Sequence, residues 1–180
     1  MSSGETSDAF LQQVFRKVDA DGSGAISSNE LQSALSNGTW SPFNPETVRM
    51  MIGMFDRDGS STIDFKEFRA LWHYVTEWEK CFRRFDLDGS GTIDKHELKI
   101  ALSSFGYRLS DRFYDLLIKK FDRSGRGTVA FDDFIQACVS IQTLTTAFSQ
   151  HDHLKTGEIT INYEDFLLLA FSLKMRLNSN

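Results

Sequence analysis

An all-α fold of five helix–loop–helix units and eight helices is predicted by three observations. A twelve-residue acidic pattern with a small residue at its centre recurs, its first residue at 19, 56, 86, 122 and 152. The residues flanking each recurrence carry apolar side chains at helical spacing. The two prolines, Pro42 and Pro45, share one connector, so the remaining chain is free to be helical.

The sharpest recurrence is DLDGSGTIDKHE, residues 86–97. Asp86, Asp88, Ser90, the Thr92 carbonyl, Asp94 and Glu97 fall at positions 1, 3, 5, 7, 9 and 12, with Gly91 at 6 and Ile93 at 8. Hard divalent cations take several oxygens, a carboxylate at 12 closes the site on both its oxygens, and the residue at 6 makes a sharp turn. An acidic turn between helices needs no Gly, Ile and Glu at these offsets. The stretch therefore reads as the Ca²⁺ loop of an EF-hand.

In chain order, residues 1–7 are small and polar and read as a tail. Phe10, Leu11, Val14, Phe15 and Val18 trace a helix into loop one, 19–30. Its ligands are Asp19, Asp21, Ser23, the Ala25 carbonyl and Glu30, with Gly24 at the turn and Ser27 leaning on a water at position 9. The exit helix stops at Asn37-Gly38. Asn44 then caps a new helix with Pro45 in its first turn, and Val48, Met51, Ile52 and Phe55 form its stripe.

Loop two, 56–67, offers Asp56, Asp58, Ser60, the Thr62 carbonyl, Asp64 and Glu67. Ser61 replaces Gly at position 6, a strain of about 1 kcal/mol in a left-handed turn. One helix without Gly or Pro joins loop two to loop three, striped by Leu71, Val75, Trp78, Phe82 and Phe85. Trp72 lies about 240° round that helix from Trp78, so the two rings cannot bury on one surface.

A helix to Phe105 follows loop three, then Ser110 caps the entry to loop four, whose stripe is Phe113, Leu117 and Phe121. Loop four, 122–133, keeps the shape and loses the chemistry: Ser124, Arg126 and Ala130 stand at positions 3, 5 and 9, and Asp133 is shorter than Glu. It reads as metal-free. A stripe of Phe134, Ala137, Ile141, Leu144 and Phe148 leads to loop five, 152–163, where Leu154 and Tyr163 displace ligands. Asp152 and Thr156 would hold Ca²⁺ or Mg²⁺ only weakly. The final helix is apolar nearly all round.

The spacings alternate, 37, 30, 36 and 30 residues, so one helix serves two hands across each short interval. Hands pair through a ribbon at position 8, here Ile26, Ile63, Ile93, Val129 and Ile159. The fifth is left over, and an uncovered edge beside an apolar helix predicts a two-fold homodimer.

Composition narrows the class. Hydrophobic residues make up 41% with 16 Phe, which is a globular composition, and a net charge of −5 disfavours nucleic acid. No apolar run approaches a transmembrane span, and no signal peptide is read. Cys81 and Cys138 lie among apolar neighbours and read as free thiols in a reducing, cytoplasmic or nuclear compartment. No nucleophile context surrounds either, so no enzyme is predicted. His151, Asp152 and His153 read as solvated side chains.

Outside the metal ligands, LQSALSNGTWSPFNPETVR, the connector FGYRLSD, and KKFDRSGRG followed by FDDFIQ carry a family likeness. On these the chain resembles the penta-EF-hand proteins over residues 8 to about 174, leaving 175–180 as a tail. The resemblance implies a Ca²⁺-dependent adaptor that bridges Pro-rich segments of membrane-trafficking, endosomal-sorting and cell-death proteins. It also implies places at endoplasmic reticulum exit sites, endosomal membranes and the nucleus, and dimerisation through the fifth hand. Trp72, Trp78, Phe105 and Tyr163 stand where the family lines or flanks the Pro-rich-ligand pocket, and Arg108 where a swinging side chain opens it. From periodicity alone ordinary core is the better reading of any single one of these aromatics; the offset of about 240° between the two tryptophans tips one of them toward a groove. A Ca²⁺ buffer and a calpain-type regulatory subunit are the alternative readings. The second loop has better ligands than the family leads one to expect, the fifth has poorer ones, and the family's Gly/Pro-rich N-terminal extension is almost absent.

Overall fold

The computed structural model describes residues 8–35 and 43–178, with side chains of the last helix described through 174. The expected tail at 1–7 and the Asn37-Gly38 stop lie outside the described residues. Eight helices occur among the described residues, as expected: α1 Asp8–Val18, α2 Ser28–Ala34, α3 Pro45–Phe55, α4 Phe65–Phe85, α5 Lys95–Ser104, α6 Asp111–Phe121, α7 Phe131–Ser149 and α8 Tyr163–Asn178. Helix α8 runs four residues past the expected domain end at 174.

The loops themselves start the helices that leave them. In loops one, two and three the position-9 side chain accepts the N–H of the position-12 Glu, whose carboxylate accepts the position-9 N–H in return. Ser27–Glu30, Asp64–Glu67 and Asp94–Glu97 are thus both capping boxes and metal-loop residues. Asn44 and Ser110 cap α3 and α6 as their sequence context predicts. Loop four has Ala130 at this place and α7 starts without a side-chain cap.

Two ribbons pair the hands. Ile26 and Ile63 form an antiparallel bridge with reciprocal N–H···O bonds of 2.8 and 2.9 Å. Strands β1 (Ile93–Asp94) and β2 (Thr128–Val129) pair antiparallel with Ile93 opposite Val129. All four position-8 residues are buried in one core with Phe68, Leu71, Phe82, Phe85 and Phe134. No such partner faces Ile159 among the described residues.

Most stripe positions of the first four hands are buried or half-buried, while Phe10 at the start of the first stripe is 47% exposed. Leu11, Phe15, Val48, Met51, Leu117, Phe121, Phe134 and Ile141 are all core. Leu144 departs from its stripe and is exposed, while Ala147 one turn on is buried in its place. Both cysteines are free, and burial pushes the Cys138 thiol far above its ordinary value, leaving it inert.

Candidate metal centres and apolar groove

Each of the five loops folds around its first aspartate. The position-6 N–H donates to one carboxylate oxygen of Asp19, Asp56, Asp86, Asp122 and Asp152, at 2.9, 2.8, 2.9, 2.7 and 2.8 Å. That bond needs a left-handed backbone at position 6, which Gly91 adopts at φ 78°. Ser61 adopts it too, at φ 61°, so loop two makes the same turn despite its side chain.

Three loops converge on a cation site. Ligand oxygens of Asp19, Asp21 and Glu30, of Asp56, Asp58 and Glu67, and of Asp86, Asp88 and Glu97 lie within 4.8 Å of one another in each set. The position-12 carboxylate is held from the other end of the loop by a backbone N–H at position 2: Ala20 to Glu30 at 2.9 Å, Arg57 to Glu67 and Leu87 to Glu97 both at 2.7 Å. Hydrogen bonds from the Ser23, Ser60 and Ser90 side chains and backbones hold the Asp21, Asp58 and Asp88 carboxyls below their ordinary range. An all-oxygen set of this kind fits Ca²⁺, which when bound would offset the mutual repulsion of the three carboxylates. Ser23 and Ser90 hydroxyls meanwhile donate to the carbonyls at position 7, Ala25 and Thr92, at 2.9 and 3.0 Å.

Loops four and five offer no such set among the described residues. In loop four Arg126 was the expected obstacle, yet Arg123 at position 2 does more: its guanidinium pairs with both Asp132 and Asp133. Burial pushes the Asp133 carboxyl up, while bonds from Asn44 and Arg123 pull against it. Loop five keeps the turn around Asp152, with Leu154 and Tyr163 exposed in the ligand slots.

An apolar groove of about 580 Å³ runs between α1, α2 and α4. Val14 and Val18, Leu31 and Leu35, and Phe68, Trp72 and Val75 form its walls. It ends against Asp86 and Gly91, positions 1 and 6 of loop three. Of the five residues expected to line a partner pocket, Trp72 lies here, against Phe10 and Phe68. Trp78 is turned to the opposite side, against Tyr74 and Phe134 of α7. Phe105 stands edge-on to Phe85, the residue before Asp86, and remains 42% exposed. Arg108 is exposed in the next connector, and Tyr163 opens α8 at 78% exposure. The structure therefore does not bring these five residues to one site: Trp72 lies in the groove, Trp78 against α7, Phe105 beside loop three and Tyr163 on hand five. The α1 and α2 walls escaped the sequence reading, since only packing brings Val14 and Leu31 opposite Trp72.

Comparison with known proteins agrees with this geometry. The model of an EF-hand domain pair fits residues 8–72 and again 75–139. Sorcin of Schistosoma japonicum is 53% identical over 163 residues, covering 91% of this chain and 95% of that protein. Human grancalcin is 40% identical over 148 residues, 80% of this chain and 67% of grancalcin. Human peflin is 44% identical over 159 residues, of which the chain spans only 56% of peflin's length. A solved homologue of programmed cell death 6 protein from Leishmania major Friedlin superposes with a TM-score of 0.80 at 36% identity, covering 91% of this chain and 93% of that one. Five hands, paired ribbons, three convergent oxygen sets and relatives spanning nearly the whole chain lead to one conclusion: the chain belongs to the penta-EF-hand family of Ca²⁺-binding proteins.

Proposed function

We propose that this chain is a Ca²⁺-dependent adaptor that presents its α1–α2–α4 groove to Pro-rich segments of partner proteins. The observation that carries this reading is the meeting of groove and loop at Asp86, which lines the groove and belongs to the oxygen set of loop three. Helices α1 and α4 enter loops one and three directly and α2 leaves loop one. A change in how these loops close is therefore a change in the groove's walls. Extended proline segments suit an aromatic-lined groove because they lose little entropy on docking.

The resemblance to trafficking adaptors supports partners in endosomal sorting, endoplasmic reticulum exit and cell-death signalling, and residence in the cytoplasm and nucleus. Phe105 beside loop three, Arg108 in the connector after it and Tyr163 on the fifth hand belong to this proposal as contacts outside the groove, and so does Trp78 on the α7 side of α4.

A panel of Pro-rich peptides titrated with Ca²⁺ and with chelator tests it. Trp72→Ala is expected to weaken peptide binding by about 2–4 kcal/mol, a hot-spot loss, with Ca²⁺ affinity unchanged. Equal loss of both would make Trp72 core, binding that ignores Ca²⁺ would remove the Ca²⁺ dependence, and no peptide binding with Ca²⁺ uptake intact would leave the plain buffer.

We also infer that loop two is a third Ca²⁺ site, since its carboxylates converge as those of loops one and three do. Calorimetry is expected to count three ions per chain in the wild type and two in Glu67→Gln. An unchanged count in that variant would sink the assignment.

A further inference from the structure

We propose that Arg123 is the resident cation of the fourth hand, keeping it assembled without metal so that loop three closes against a partner already in place. The proposal rests on loop three being a Ca²⁺ site. In loops one to three the position-12 carboxylate is tied to position 2 by a backbone N–H. In loop four the same two positions are tied by side chains, the Arg123 guanidinium to Asp133. The guanidinium reaches the neighbouring Asp132 as well. Both carboxylates are buried, 0% and 1% exposed, so each needs a counter-charge.

The remaining lone pairs of this cluster look outward to another hand. Asn44, the cap of α3, donates its backbone N–H to Asp132 at 2.6 Å and its side-chain N–H to Asp133 at 2.8 Å. Thr47 of α3 donates to the Asp132 carbonyl at 3.3 Å. Arg123 therefore holds the position-12 end of loop four in its closed place and, through the same carboxylates, fastens the entering helix of hand two to the exit helix of hand four. Its consequence for loop three runs through the β1–β2 ribbon, where Ile93 of loop three pairs with Val129 of loop four. A site whose neighbour is already ordered binds without the affinity loss of a partly populated competent state.

The first test is thermal unfolding of the full chain in chelator. Arg123→Gln is expected to lower the Tm by several degrees: the two carboxylates are buried and lose their counter-charge, while the guanidinium itself is 42% exposed, so the loss is smaller than for a fully buried pair. Adding Asp132→Asn and Asp133→Asn removes the stranded charges and is expected to recover most of that loss. Wild-type melting in Arg123→Gln, or a triple variant no better than the single one, overturns the resident-cation role. The second test silences loops one and two with Glu30→Gln and Glu67→Gln and titrates loop three by calorimetry. Arg123→Gln is then expected to weaken Ca²⁺ several-fold, within the roughly 5–150-fold span of coupled sites, and the added Asn substitutions to restore it. Unchanged affinity overturns the coupling. A silenced chain with Arg123 intact that takes up no Ca²⁺ overturns the loop-three reading instead, and the melting result in chelator tells the two failures apart.

Discussion

Glu97→Gln is expected to move loop three from the sensor range of roughly 10⁻⁷–10⁻⁵ M to roughly 10⁻⁴–10⁻³ M, and to take Ca²⁺-dependent groove binding with it. Glu97 is 4% exposed, and both of its oxygens are engaged: Oε1 accepts the Leu87 N–H at 2.7 Å and Oε2 the Asp94 N–H at 2.9 Å. Glutamine keeps the length and one acceptor. It brings an amide N–H against a backbone N–H and removes one of the three charges that converge with Asp86 and Asp88. Calorimetry on the variant reads the lost affinity, and peptide titration at saturating Ca²⁺ reads the groove. The groove closes on Asp86, so the two losses are expected together. A variant with weakened loop three and intact, still Ca²⁺-dependent peptide binding would move the trigger to another loop.

The metal loops were legible in the sequence because their chemistry is written at fixed offsets. Acid at 1 and 12, a turn at 6 and an apolar residue at 8 each answer a separate requirement, and together they also place the capping boxes that begin α2, α4 and α5. Helix limits followed from the same marks: Asn44 with Pro45, and Ser110. The opposed placement of Trp72 and Trp78 followed from helix geometry alone.

What stayed hidden depends on approach of distant segments. Arg123 sits at position 2, a slot with no ligand duty, and nothing local says that its guanidinium meets Asp132 and Asp133. Asn44 reads as a cap, which it is, while its second role lies 88 residues away. The groove has the same character. Its walls come from three helices, each of which shows only an ordinary apolar stripe, and the family likeness pointed to one wall residue, Trp72, and otherwise to residues outside it. Leu144 fits the α7 stripe and is nonetheless exposed, because burial requires a neighbour as well as a period.

That same requirement makes the fifth hand the place to expect a second copy of the chain. Helix α8 spans 16 residues, and none of its described side chains, through 174, is buried. Tyr163, Phe166, Leu168 and Phe171 are 78%, 53%, 64% and 61% exposed. Among the described residues Ile159 beside them has no antiparallel partner of the kind that the other four position-8 residues have. A ribbon edge and an apolar helix open on one hand are complementary to the same features on a copy turned through a two-fold axis. Such symmetry counts each contact twice. Burying one Phe contributes about 1.5–3 kcal/mol, so Phe166→Asp is expected to weaken a dimer by at least about 3–6 kcal/mol, roughly 10²–10⁴-fold in Kd. Sedimentation equilibrium at micromolar concentration is expected to give a dimer for the wild type and a monomer for the variant, with Ca²⁺ uptake at loops one to three unchanged. A monomeric wild type would assign the face to a different partner, and a dimer unaffected by aspartate at 166 would place the interface elsewhere.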